Sequence, residues 1–234
     1  MMEVSNTGLL FDSGPGTMRR LLRANTTIFD LDYIFYSHFH PDHTAELVPF
    51  LFATKYPDKD RRQTILTIVA GVGFEDFFAG LKTIYGQWIE LDPRLVKIIQ
   101  MNNRSADLLR LKDFTVQSAP VEHNPESIAY RITGPGGHSV VYSGDTDYSE
   151  NLIALSKDAD LLICESALPD DFRVKGHLTP SLAGDIATRA GVKKLVLTHF
   201  YPQCDQTDIE QECRKTYDGP LVLAEDLMTI QIGF

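Results

Sequence analysis

The stretch Ser37-His38-Phe39-His40-Pro41-Asp42-His43 places four side chains that can bind a metal within six residues, in the order H-x-H-x-D-H. Only seven histidines occur in the whole chain, and three of them sit here beside an aspartate. Imidazole nitrogen and carboxylate oxygen suit divalent cations of the zinc type, which hold such donors at about 2.0–2.2 Å. The plainer reading is a polar loop with chance histidines, so the motif needs a strand–turn–helix setting to count. That setting is visible. Asp32-Tyr33-Ile34-Phe35-Tyr36 reads as a buried strand, and the chain after His43 opens a helix. If the strand runs on, His38 and His40 point the same way, because side chains repeat every two residues. Asp42 and His43 then fall in the turn beyond it.

Four donors cannot close two metal sites, so further ligands should sit at other strand ends. His123 follows a strand ending near Val121, Asp145 follows Tyr142-Ser143-Gly144, and His199 follows Leu195-Val196-Leu197-Thr198. Sites in α/β sheets form just past such strand ends. Singly, each has a structural alternative: a hydrogen-bonded histidine, or an Asp145 that caps the next helix. Recurrence in one context is what gives them weight.

The elements that must position these residues can be read along the chain. Gly8–Asp12 reads as a short strand running into the turn Ser13-Gly14-Pro15-Gly16, with Asp12 either turned inward or capping a helix over Met18–Leu22. Pro49 fits the first position of a helix through about Tyr56. Ile65–Val69 is strand-like, and Phe74, Phe77, Phe78 and Leu81 follow at helical spacing as a core stripe. Strands are expected at 96–99, 114–116, 128–132 and 139–142, the last two joined by Gly134-Pro135-Gly136-Gly137. Strands at 161–165, 194–198, 221–223 and 229–232 then alternate with helices near 181–190 and 208–217. The pattern is a layered α/β architecture in one domain spanning 1–234.

Composition narrows the setting. The chain is 43% hydrophobic and 23% charged over 234 residues, ordinary for a globular protein with a sizeable core. Its densest apolar run, Leu47–Ala53, is interrupted by Pro49 and too short for a membrane helix. No basic-then-apolar leader is present, and Cys164, Cys204 and Cys213 lack C-x-x-C spacing, so reduced thiols in a cytoplasmic protein are expected. A net charge of −10 disfavours polyanions as partners. The clusters Arg19/Arg20/Arg23 and Lys55/Lys59/Arg61/Arg62 read as solvated surface.

The ordered set Asp12, His38-x-His40-x-Asp42-His43, His123, Asp145 and His199 resembles the metallo-β-lactamase superfamily over nearly the whole length. The resemblance implies a four-layer αββα sandwich with a dinuclear site. One metal would be held by His38, His40 and His123, the other by Asp42, His43 and His199, with Asp145 bridging and Asp12 orienting the histidine loop. Zinc is the expected metal, with manganese or iron as alternatives. Gly176-His177-Leu178-Thr179 resembles the ribonuclease Z-like phosphodiesterase branch, where a His-x-Thr loop assists at the phosphate and Glu165 matches an acidic partner. The tRNA-processing members carry a long exosite arm between the ligands matching His123 and Asp145, whereas 21 residues separate them here.

The expected chemistry is metal-assisted hydrolysis, in which two cations acidify a shared water and polarise the substrate. Asp42, Asp145 and His177 would carry it, with His177 donating a proton or hydrogen bond to the substrate oxygen. A small phosphodiester is the expected substrate, ahead of folded RNA or a lactone, thioester or sulfate ester. Rival classes are a non-catalytic binding module and a di-iron redox protein, though His40 stands where the di-iron flavoproteins have glutamate. The resemblance also admits a homodimer.

Overall fold

The computed structural model describes residues 1–58 and 61–233, so Lys59 lies outside the described residues. They form two compact units, Met1–Met101 and Asn102–Phe234.

The first unit contains β1 (Met2–Val4), β2 (Thr7–Phe11), α1 (Thr17–Arg23), β3 (Tyr33–Tyr36), α2 (Pro41–Thr44), α3 (Leu47–Lys55), β4 (Leu66–Gly71), α4 (Phe74–Tyr85) and β5 (Val96–Met101). Its described strands make one sheet in the order β1-β2-β3-β4-β5. β2 to β5 run parallel, and β4 is buried along its whole length, which is why its sequence is a continuous apolar run rather than an alternating one. Leu10, Ile34, Tyr36, Phe50, Leu51, Ile68 and Phe74 build the core. The aromatic stripe at helical spacing belongs there, with Phe74 against Tyr36 at 5.4 Å.

Two expectations are corrected in this unit, and one short strand is added to them. β1 is only three residues long; Ser5 and Asn6 both take positive φ to turn it tightly onto β2. The helix expected to begin at Pro49 begins at Leu47, so the proline occupies the third helical position. Arg62 is buried rather than solvated, and its guanidinium donates to the Leu31 and Ile28 carbonyls.

The second unit contains β6 (Asp107–Arg110), β7 (Thr115–Pro120), β8 (Ile128–Thr133), β9 (Ser139–Tyr142), α5 (Glu150–Leu155), β10 (Leu161–Glu165), α6 (Pro180–Ala190), β11 (Leu195–Thr198), α7 (Ile209–Arg214) and β12 (Leu221–Leu223). The sheet order is β12-β11-β10-β9-β8-β7-β6 among the described residues. β6 to β9 are antiparallel and β9 to β12 parallel. β7 therefore runs in the same direction as β9, β10 and β11, and all four strands end at one edge of the sheet. Leu162, Cys164, Leu195 and Leu197 form a core with Leu152 and Ile186. Pro180 at the first position and Gly191 in the left-handed conformation bound α6 as helix-end chemistry requires. Residues 229–232, expected as a strand, are not one.

Candidate metal centre

In the first unit β3 stops at Tyr36, and residues 37–40 run on irregularly into α2. The strand does not persist through the histidines, yet they still gather. The His38 and His40 rings lie 4.6 Å apart, and His38 and His43 4.1 Å apart. Asp12 organises them from the end of β2. It is 8% exposed, and its φ of 54° lies in the left-handed region that a side chain takes at a cost of order 1–3 kcal/mol. It has turned inward and does not cap α1. One carboxylate oxygen accepts the Ser37 N–H at 2.8 Å; the other accepts the Ser37 hydroxyl at 2.8 Å and meets His43 Nδ1 at 2.7 Å.

These bonds assign the protons. A carboxylate only accepts, so His43 carries its hydrogen on Nδ1. The Ser37 proton is committed to Asp12, so Ser37 Oγ accepts from His38 Nδ1, 3.0 Å away. Both rings therefore hold the lone pair on Nε2, which is the donor form a cation needs. His40 and Asp42 are exposed, with Asp42 3.5 Å from His43 Nε2.

The turn after β2 seats this loop. Ser13 N donates to the His43 carbonyl at 2.7 Å, and Glu46 N to the Ser13 carbonyl at 2.9 Å. A Cβ on Gly14 would stand 1.9 Å from the Asp42 carbonyl oxygen, a backbone atom that cannot rotate away. Gly14→Ala is accordingly expected to destabilise the protein by about 1–3 kcal/mol, the usual cost of overpacking. Bound metal should fall with it. Thermal denaturation and elemental analysis check both.

In the second unit the loops after β7, β9 and β11 carry His123, Asp145 and His199, and the last residue of β10 is Glu165, so all four stand at one sheet edge. Gly144 turns with φ 58°, and Asp145 beyond it is 2% exposed. His199 itself has φ 63°, strain held at the position the sequence singles out. Its Nε2 lies 3.4 Å from Asp145 Oδ2. His123 Nδ1 approaches the Gly176 carbonyl at 2.8 Å; a carbonyl only accepts, so Nε2 again has the lone pair. His177 precedes α6 and does not start it. Its ring stacks on His199 at 5.8 Å, and its Nδ1 lies 2.9 Å from Glu165 and 4.0 Å from Asp145.

Burial pushes the Glu165 carboxyl up to about 7, against the pull of the His177 hydrogen bond. Backbone N–H groups of Thr146, Ala167 and Leu178 also converge on its oxygens. The side chain is thus built to accept, and it holds His177 with Nε2 outward. Asp145, Glu165 and His177 bring donor atoms within 4.8 Å of one another.

Each unit therefore gathers its own share of the expected ligands. Ser37, Gly14 and Gly176 also matter and were not anticipated. In the sequence Gly14 and Gly176 stand only as parts of a turn and a motif, and nothing in the residue types alone separates such supports from ordinary loop residues.

A family model described as Beta-lactamase superfamily domain matches residues 7–200. The chain belongs to the β-lactamase superfamily. Among superfamily relatives, Ribonuclease Z from Methanosarcina mazei is 26% identical, covering 97% of this chain and 89% of that protein. Ribonuclease Z 1 from Schizosaccharomyces pombe is 32% identical over 98% of this chain, but the chain spans only 30% of that protein's length. The metallo-β-lactamase fold protein YhfI from Bacillus subtilis is 28% identical with a TM-score of 0.78, over 94% of this chain and 85% of that one. This superfamily member thus has the metallo-β-lactamase fold and is a metal-dependent hydrolase. Its imidazoles and carboxylates, with protons placed on Nδ1 of His38, His43 and His123, fit divalent cations.

Proposed function

We propose that the chain is a phosphodiesterase acting on a small phosphodiester. His38, His40 and His123 would hold one divalent cation and Asp42, His43 and His199 a second, with Asp145 shared between them. Zinc suits these donors best, with manganese or iron as alternatives. The observation that carries the reading is the pairing of His177 with Glu165 beside Asp145. Ester hydrolysis needs a proton delivered where charge develops on the leaving oxygen, and a histidine backed by a carboxylate is built for that.

Cations bound there supply Lewis acidity and acidify water to make a nucleophile near neutral pH. The protein's own part is proton placement. Asp12 keeps Nε2 of His43, and through Ser37 that of His38, as the donor atom. Glu165 holds His177 by Nδ1, so protonated His177 delivers from Nε2 to the departing oxygen, and the carboxylate stabilises the imidazolium before transfer.

Removing the acid should hurt most where the leaving group is poor. His177→Ala is expected to lower kcat on an alkyl phosphodiester by about 10²–10⁴-fold, with metal content unchanged. On bis(p-nitrophenyl) phosphate, whose leaving group departs without help, the loss should be much smaller. Equal losses on both substrates would remove His177 from the acid role.

The small substrate is argued from charge and from the ligand spacing. The chain carries a net charge of −10, and residues 124–144 form only the β8–β9 hairpin. A second reading, an RNA endonuclease, is favoured by the relatives named ribonuclease Z. This chain's match to the Methanosarcina mazei protein runs to 280 positions against 234 residues here, so that relative has insertions this chain lacks. Among the described residues no helix is long and apolar enough to cross a membrane. Buried free thiols at Cys164, Cys204 and Cys213 suit a reducing, cytoplasmic setting.

Assay of the metal-loaded protein against bis(p-nitrophenyl) phosphate, a cyclic nucleotide, a precursor tRNA, a lactone and a thioester tests the proposal. Phosphodiester turnover is expected. Turnover of the carbon esters without phosphodiesterase activity would overturn it.

A further inference from the structure

We infer that Asp147 is a positioning residue that fixes the ring of His123 and ties it to the loop bearing His177. The inference rests on the metal-centre reading above, because it gives His123 a ligand's role.

Asp147 stands two residues beyond Asp145, yet its side chain faces a different loop. One carboxylate oxygen accepts the Gly176 N–H at 3.1 Å; the other accepts Arg173 Nη2 at 3.0 Å and the Tyr148 N–H at 2.8 Å. Gly176, held through its N–H, offers the carbonyl on the other side of its Cα to His123 Nδ1 at 2.8 Å. Asp147 thus reaches His123 through one glycine. The neighbouring backbone closes the connection from the other side: Asp147 N donates to the Glu122 carbonyl at 2.7 Å, and Glu122 N donates to Thr146 Oγ1 at 3.1 Å. Three loops, those of residues 121–124, 144–147 and 173–177, are joined at this one aspartate.

Gly176 is the right residue for the link. Its φ is 92°, which a side chain rarely adopts, and a Cβ there would sit 3.2 Å from His123 Nδ1. The glycine lets backbone come up against the imidazole, and Asp147 keeps it there. Groups that orient a ligand's other ring nitrogen typically set metal affinity by about 10–100-fold. The next residue is His177, so one carboxylate sets the position of a ligand and of the loop that carries the proposed acid.

The test compares wild type with Asp147→Asn, Asp147→Ala, Gly176→Ala and Arg173→Ala, each titrated with zinc against a chromophoric chelator. The same proteins, metal-free and labelled with ¹⁵N-histidine, report the His123 tautomer by NMR. Wild type should show His123 protonated on Nδ1 alone. Asp147→Ala and Gly176→Ala should weaken zinc binding about 10–100-fold and mix the His123 tautomers. Asp147→Asn, which matches Asp147 in shape but can accept at only one of the two positions, should fall between and guards against loss of folding. Arg173→Ala should stay within about threefold of wild type, since its exposed ion pair contributes little. Wild-type zinc affinity with an unchanged His123 spectrum in both Asp147 variants would overturn the inference. Failure of wild type to bind zinc would overturn the metal centre instead, while the metal-free spectra would still read the link from Asp147 to His123.

Discussion

Asp145→Ala is expected to lower phosphodiester turnover by roughly 10³–10⁵-fold, the equivalent of several kcal/mol of metal-derived stabilisation at tenfold per 1.36 kcal/mol. No other proposed ligand is assigned to both cations. Its carboxylate is buried, 3.4 Å from His199 Nε2 and 4.0 Å from His177 Nδ1, so its loss removes a shared anion from among imidazoles. Metal content should fall from two equivalents toward one, because five imidazoles and Asp42 remain. The metal-free protein should melt within a few degrees of wild type, since removing a buried carboxylate also removes the cost of keeping it from water. Steady-state kinetics, elemental analysis and calorimetry on one preparation check all three. Turnover within tenfold of wild type, at full metal content, would show that Asp145 does not bridge.

Asp12→Ala is expected to fail differently. It leaves the Ser37 N–H, the Ser37 hydroxyl and His43 Nδ1 without their acceptor in a buried setting. Unsatisfied buried donors cost about 1–3 kcal/mol each, so a loss of at least about 3 kcal/mol is expected overall. Zinc affinity should drop by about 10–100-fold, because both His38 and His43 lose the partner that sets their tautomers. All proposed ligands are still present in this variant. Excess zinc should therefore restore much of the activity of Asp12→Ala and none of that lost in Asp145→Ala. Zinc titration of activity in the two variants side by side gives the comparison, and an Asp12→Ala protein that no zinc concentration improves would contradict the orienting role.

The contrast between these two aspartates also shows where sequence was informative. The H-x-H-x-D-H run announces itself because chemistry-bearing residues are crowded into a strand–turn–helix context, and His123, Asp145 and His199 follow because each ends an apolar strand. For Asp12 the residues alone leave two roles open, helix cap or inward turn, and the family resemblance points to the second. Only the positive φ and the Ser37 and His43 contacts decide it. Parallel strands such as β4 were legible as apolar runs, whereas β1 is three residues long and carries its signal in the Ser5–Asn6 turn. Thr229–Ile232 shows the opposite error: β-branched residues gave the pattern, but the chain there pairs with no described strand. Arg62 is hidden from sequence because a cationic side chain in a basic cluster looks solvated. Its burial is compensated by two backbone carbonyls that no local pattern reveals. Supports such as Gly14 and Asp147 act across loops distant in sequence, and residue type alone carries no trace of that.

Anomalous diffraction at the zinc edge from crystals of the zinc-loaded protein tests the central claim most directly. Two peaks about 3.5–4 Å apart are expected. One should be bounded by Nε2 of His38 and His123 together with His40, the other by Asp42, His43 and His199, with Asp145 touching both. Zinc held by the 38–43 loop alone, with His123, Asp145 and His199 turned elsewhere, would contradict the account.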